Sequence, residues 1–157
     1  FIEGNLTGDT YLNMLQNTVE PLITHEIENQ INPIDGNRNL IEDFIHFQQD
    51  GAPPHYSIAV REFLDEKFPG QWIGRRGPIE WPARSPDLTP LDFFLWGHLK
   101  SVVYKTEPAS INDLRYRIVR ECRSLSREVF KNVRNEFENR LWYCLEQNGE
   151  HFEHFIK

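Results

Sequence analysis

An apolar run that stops abruptly constrains the fold of this chain most. Residues 43–49 read DFIHFQQ, and Asp50-Gly51 and then Pro53-Pro54 follow at once. A short run that is largely apolar on both sides of an extended chain predicts a strand inside a sheet that is covered on both faces. Proline has no N–H to give to a ladder, so this strand must end before Pro53. The sequence therefore places Asp50 at the carboxyl end of a buried strand.

Other segments alternate between strand and helix patterns. Short strands are predicted at residues 1–6, 72–73 and 79–81. Helices are predicted after Thr7 with a kink or division at Pro21, from about Ile58 to Phe68, from Asp92 to about Val103, from Ser110 through Cys122, and at 127–148. This order predicts an α/β layer. The strands are too few for a complete sheet, so we expect the first strands to lie ahead of Phe1.

Composition bounds the class of protein. The chain has 157 residues, which makes it one domain or part of one. No apolar run approaches the roughly 20 residues that a membrane helix needs, so no membrane association is predicted. Cys122 and Cys144 are too few for a disulfide framework and are predicted to be buried reduced thiols, which implies an intracellular protein.

The charge is unevenly placed. A net charge of −7 argues against a general polyanion binder, but residues 1–49 hold eight acids and one base, whereas residues 50–106 hold seven of each. The central part could therefore meet a phosphate backbone. The candidate bases are Arg75, Arg76, Arg84, Lys100 and Lys105. A solvated surface of mixed charge is the alternative interpretation.

Two acids suggest chemistry. Functional groups collect at the carboxyl ends of strands in open α/β sheets, where Asp50 is predicted to lie. Asp92 is predicted to open a helix, whose dipole favours a carboxylate. Acids brought together repel one another unless a cation neutralises them, and oxygen ligands alone select Mg²⁺ or Mn²⁺. An ordinary turn role for Asp50 and a helix cap for Asp92 are the alternatives.

Further side chains have both a structural and a functional interpretation. Asp87 is a helix-cap candidate that could also contact metal. His55 fits a turn or solvent role better than a place near the site. The aromatic residues Trp81, Phe93, Phe94 and Trp96 fit a core better than base stacking. His151 and His154 are a weak metal signal in a tail that is predicted to fray.

Two long blocks carry a family resemblance. QDGAPPH at residues 49–55 resembles the block around the second catalytic acid of mariner/Tc1-type transposases of the DDE/D superfamily. SPDLTPLDFFLW at residues 85–96 resembles the block around their third acid, which is Asp92 here, as in mariner elements, where Tc1 relatives have Glu. The 41 residues between Asp50 and Asp92 exceed the spacing of the best-known mariner members, which leaves the subgroup open. The resemblance weakens in the last fifty or so residues.

This resemblance implies a ribonuclease-H-like mixed sheet flanked by helices, with a partial catalytic core at residues 1–106 and packed helices at 107–157. It implies cut-and-paste transposition of DNA in the nucleus, action on transposon ends, a homodimer, and Mg²⁺ or Mn²⁺ held by Asp50 and Asp92. The first catalytic acid and the end-reading helix-turn-helix are expected before Phe1, so the chain alone is predicted not to transpose DNA.

Two alternatives stay open. One is a domesticated binding or assembly module that kept the fold without catalysis. The acidic first third favours a transposon-derived relic over an intact enzyme. The other is a different ribonuclease-H-like nuclease, which the two long blocks make less favoured.

Overall fold

The computed structural model describes residues 1–30, 45–82 and 85–156. The chain divides into two compact units, residues 1–83 and residues 84–157. None of the described helices is long and apolar enough to cross a membrane. The predicted boundary after residue 106 stays a prediction, because the division into compact units does not test it.

The first unit begins with a capped helix. The Thr7 hydroxyl accepts a hydrogen bond from the Thr10 backbone amide, and the Thr10 hydroxyl accepts one from the Thr7 backbone amide. Helix α1 (Gly8–Met14) therefore starts where the sequence predicts. A π-helical turn, Leu15–Val19, separates α1 from α2 (Glu20–Gln30). Pro21 follows this turn directly; its ring and missing N–H disfavour regular α-helix there. The departure from regular α-helix therefore lies at Leu15–Val19, ahead of the predicted position, and α2 runs through Pro21.

The described sheet is small and parallel. Its strands are β1 (Phe47–Gln48), β2 (Trp72–Gly74) and β3 (Ile79–Glu80), in the order β1-β2-β3, with Phe47 opposite Trp72 and Ile73 opposite Ile79. A 3₁₀ turn (Pro53–Tyr56) and α3 (Ile58–Lys67) connect β1 to β2, as parallel pairing requires a crossover. The predicted α/β class is confirmed.

The core of the first unit lies between α1, α3 and the sheet. Val60, Leu64 and Trp72 are fully buried there, together with Tyr11, Leu15 and Phe63. The Trp72 indole N–H donates to Asp65 Oδ1 at 2.8 Å, which satisfies the polar end of a buried ring. A Cβ on Gly77 would come within 2.6 Å of this ring, so the turn between β2 and β3 needs a glycine there.

The second unit is helical. A 3₁₀ turn (Pro86–Leu88) leads into a π-helical stretch (Leu91–Trp96) that continues as α4 (Gly97–Val103), and α5 (Ile111–Ser124) and α6 (Arg127–Glu146) follow. The chain closes with a 3₁₀ turn, Glu153–Phe155. Ser110 caps α5 as predicted, by accepting the Asp113 amide at 3.1 Å. The Ala109 amide and Arg117 in turn lower the pKa of the Asp113 carboxyl.

Several local expectations are wrong in the first unit. Residues 1–6 form no strand, and Phe1 and Ile2 are exposed, so no burial holds them extended. The described part of the predicted strand at 43–49 pairs only at Phe47–Gln48 and is half-buried, with His46 exposed. The apolar residues of α3 also predict a buried side that includes Ile58 and Val60. Ile58 is instead 67% exposed, because it lies about 200° around α3 from the buried Val60.

Two expectations are wrong in the second unit. Cys122 is exposed and Cys144 is half-buried, although both are free thiols. The tail does not fray at Phe152, which is only 2% exposed, because burying a large ring stabilises the segment.

Candidate active site

Asp50 lies at the carboxyl edge of the parallel sheet, as the sequence predicts. The backbone amide of Gln49 donates to the Ile73 carbonyl at 2.9 Å, at the end of the β1–β2 ladder. Asp50 is the next residue after Gln49. Strand β2 ends at Gly74, so Arg75 leaves the sheet at the same edge. This edge is where α/β proteins place ligands.

The Asp50 carboxylate is held through its Oδ1 atom. Oδ1 accepts the Ala52 amide at 2.9 Å and contacts His55 Nδ1 at 2.5 Å, and the Asp50 side chain is 53% exposed. The bond from the Ala52 amide forms an Asx turn, which agrees with the turn interpretation of Asp50. His55 is 17% exposed and paired with Asp50, which contradicts a solvent role. Both bonds that described residues give to Asp50 end on Oδ1.

A buried network positions His55. Gln49 is 5% exposed; its Oε1 accepts the Tyr11 hydroxyl at 3.0 Å, and its Nε2 donates to the His55 carbonyl at 2.7 Å. The Tyr11 and His55 rings lie 4.2 Å apart between centroids, tilted by 32°. Helix α1 therefore fixes the residue that pairs with Asp50, through contacts that are remote in sequence.

Tyr11 stays protonated over a wide pH range. Burial, and to a smaller extent the negative charge of Asp50, raises the pKa of Tyr11 to about 12. The neutral hydroxyl is the form that can donate to Gln49, so this hydrogen bond persists well above neutral pH.

Arg75 and Arg76 lie at this edge of the sheet, beside Tyr56. Their guanidinium carbons lie 4.3 Å and 5.6 Å from the centroid of the Tyr56 ring. A Cβ on Gly51 would be 3.6 Å from Cδ of Arg75, so this arginine passes next to the residue after Asp50. Arg76 has φ 62°, and its amide donates to Glu80 Oε2 at 2.8 Å. Both predicted nucleic-acid contacts are exposed.

Asp92 belongs to the second unit. It is exposed in the first turn of the Leu91–Trp96 stretch, with Pro90 in the capping position, so it is not the cap residue. The Thr89 carbonyl accepts the amides of Asp92 at 2.9 Å and Phe93 at 3.0 Å, which fixes the backbone here. A carboxylate in the first turn is favoured by the helix dipole, as predicted.

Arg140 of α6 holds the segment that carries Asp92. Its side chain is 11% exposed; Nη1 donates to the Asp87 carbonyl at 2.9 Å, Nε to Glu136 at 3.1 Å, and the guanidinium lies 4.4 Å from the Phe93 ring centroid. Asp87 itself sits within the 3₁₀ turn whose capping position is Ser85, so the cap predicted for it is not observed.

The remaining candidates are dispersed. Lys100 is exposed on α4, and Arg84 lies outside the described residues. Trp96 is 52% exposed, which contradicts its core interpretation, whereas Trp81, Phe93 and Phe94 are half-buried. His151 lies 3.8 Å from Asp87 Oδ2. Within residues 1–30, 45–82 and 85–156, no three His, Cys, Asp or Glu side chains gather as a metal-binding group.

Sequence reasoning missed three residues that organise the two acids. Gln49 carried a usable signal, since it is an amide at the end of an apolar run and needs buried partners. In the sequence, Tyr11 fits the apolar face of a helix, and Arg140 is one of several charged residues on the long helix α6. Nothing local distinguishes either of them.

Known proteins are similar to this chain in sequence and in fold. No protein-family model matches it. The Tc3 transposase of Caenorhabditis elegans is 28% identical over 152 residues, which cover 95% of this chain and 39% of that protein. The Tc1 transposase of the same organism is 37% identical over 65 residues, 40% of this chain and 20% of that protein. The solved catalytic domain of Mos1 transposase, with raltegravir and Mn, superposes with a TM-score of 0.70 at 18% identity, covering 96% of this chain and 67% of that one.

In sequence and fold, this chain is similar to mariner/Tc1 transposases and the Mos1 catalytic domain. The family resemblance carried by the two sequence blocks is thereby confirmed, and so is the ribonuclease-H-like α/β fold. The mariner/Tc1-like chain spans about two fifths of the Tc3 transposase and one fifth of the Tc1 transposase.

Proposed function

We propose that this chain is part of the catalytic domain of a cut-and-paste DNA transposase, which hydrolyses phosphodiesters and transfers strands with a divalent metal. The similarity to the Tc3 transposase along 95% of the chain carries this proposal. Asp50 and Asp92 occupy the two motif positions where the resemblance assigns catalytic acids.

The acids suit a hard cation. Asp50 offers a half-exposed carboxylate whose hydrogen bonds from described residues end on one oxygen, and Asp92 offers an exposed carboxylate. Oxygen donors of this kind fit Mg²⁺ or Mn²⁺ rather than zinc, and the related Mos1 structure is described with Mn. A metal bound there would activate a water or hydroxyl nucleophile and stabilise the leaving oxygen. His55 would hold Asp50 in place for this role.

The basic residues suit DNA. Arg75 and Arg76 leave the sheet at the edge where Asp50 lies, and their charges could meet phosphates next to the reacting bond. Arg84 and Lys100 are two further proposed DNA contacts. By the same resemblance we propose transposon ends as the DNA, a homodimer as the working assembly, and the nucleus as the place of action.

We expect these 157 residues alone not to cleave DNA, because the resemblance assigns two of three catalytic acids within them, Asp50 and Asp92. The measurement is the nicking of supercoiled plasmid that is incubated with the chain and Mn²⁺. Robust nicking that disappears in Asp50→Asn would overturn this expectation.

The proposed function is tested by measuring duplex-DNA affinity with and without Mn²⁺. We expect Mn²⁺ to tighten binding of the wild-type chain and to have little effect on Asp50→Asn. Arg75→Gln/Arg76→Gln should weaken binding in both conditions. DNA binding that ignores Mn²⁺ would favour the non-catalytic module instead, and absence of both DNA and metal binding would overturn the proposal.

A further inference from the structure

A stretch of the second unit is locally basic although the chain is acidic. From Lys100 to Arg127 the sequence holds seven bases and three acids. Two of these acids are already paired: Asp113 with Arg117 Nη2 at 2.9 Å, and Glu121 with His98 Nε2 at 2.8 Å. Both acids thus pair with residues other than Lys105 and Arg120.

These bases border a cleft. It measures about 540 Å³ and is formed by the end of α4, the following loop and the first turns of α5. Arg117 stiffens it: Nη1 donates to the Val103 carbonyl at 3.0 Å and the Thr106 carbonyl at 2.6 Å. Arg117 therefore pairs with the backbone on the other side of the cleft, and its side chain holds α5 against the loop after α4.

Lys105 and Arg120 line the cleft with exposed charges. Among the described residues, neither forms a salt bridge, and the Arg120 guanidinium lies 5.8 Å from the Tyr116 ring centroid. Tyr116 is 63% exposed. Arg123 is also exposed, and residues 116, 120 and 123 share one face of α5 at helical spacing. Cations beside an exposed aromatic ring form the combination that binds nucleic-acid strands.

We propose that this cleft binds the phosphate backbone of DNA, with Lys105 and Arg120 on phosphates and Tyr116 against a sugar or base. The inference rests on the proposed function, because it takes transposase DNA as the ligand, and it adds a contact surface that the sequence motifs do not contain. The exposed ring favours DNA over an acidic protein, since the deoxyribose between two phosphates offers the ring an apolar face.

The test measures duplex-DNA affinity by fluorescence anisotropy over a range of salt concentrations. We expect Lys105→Gln/Arg120→Gln to lower the slope of log K against log salt by roughly 1.8, about 0.9 for each lost phosphate contact. Tyr116→Ala should weaken binding without changing that slope. The matched control is Lys131→Gln/Arg134→Gln, which removes two exposed bases of α6 and should leave slope and affinity unchanged.

The outcomes separate this inference from the proposed function. If the wild-type chain binds DNA and Arg75→Gln/Arg76→Gln weakens it, while Lys105→Gln/Arg120→Gln behaves as wild type, the cleft assignment is wrong and the proposed function stands. Poly-L-glutamate that binds the wild-type chain as tightly as duplex DNA would overturn the choice of ligand. Failure of the wild-type chain to bind duplex DNA would overturn both.

Discussion

Gln49, the residue before Asp50, connects three parts of the first unit through its side chain. It is buried, and the two ends of its amide pair with Tyr11 and with the His55 carbonyl. Asp50 was predictable from sequence, since a carboxylate after an apolar run is a local pattern. The network beneath it was not, because Tyr11 and Gln49 are 38 residues apart and only the folded chain joins them.

Replacing Gln49 with leucine should destabilise the first unit. Gln49→Leu leaves the Tyr11 hydroxyl and the His55 carbonyl without partners, and we expect a loss of about 1–3 kcal/mol in the free energy of unfolding. Urea unfolding of the whole chain measures it. Gln48→Leu, on the half-buried neighbouring position, is the control and should cost less. Equal effects would contradict the network.

Tyr11 should make stability fall at alkaline pH. An unfolded tyrosine loses its proton near pH 10, whereas Tyr11 holds it to about 12 in the folded chain. The folded state therefore binds more protons between these values, and the free energy of unfolding decreases as pH rises through this window, by up to about 3 kcal/mol. Tyr11→Phe should lose this component. Identical stability profiles of the two proteins between pH 10 and 12 would contradict it.

At the scale of elements, helix starts were well predicted and buried faces less so. Thr7 and Ser110 mark helix starts through bonds within four residues, which sequence alone reveals. The exposure of Ile58 depends on which side of α3 meets the sheet, and that choice is tertiary. Strand β1 is shorter than its apolar run because a ladder extends only where a neighbouring strand pairs with it.

Helix α6 should stabilise the Asp92 segment through one arginine. Arg140→Met removes the bond to the Asp87 carbonyl and the contact with Phe93, and should cost about 1–3 kcal/mol. Arg134 makes the same type of pair with a glutamate four residues on, but its side chain is 80% exposed, so Arg134→Met should cost about 0.5 kcal/mol or less. Urea unfolding compares them, and equal costs would refute this role of Arg140.

At the scale of the whole molecule, charge and function divide differently along the chain. The whole net charge of −7 belongs to the first 49 residues, whereas both acids assigned to catalysis lie later, one in each compact unit. Family resemblance predicted the fold class from two long motif blocks, although the identity to the solved Mos1 catalytic domain is only 18%. The basic cleft of the second unit escaped it, since its residues become neighbours only through the packing of α4 and α5.

Metal binding tests the central claim most directly. Mn²⁺ titrated into the chain by isothermal calorimetry should show binding that weakens at least about tenfold in Asp50→Asn and in Asp92→Asn, because each loses one anionic ligand. Asp9→Asn removes an equal charge from the exposed first turn of α1 and should bind as wild type. If all four proteins bind Mn²⁺ alike, or none binds it, Asp50 and Asp92 are not the metal ligands of this chain.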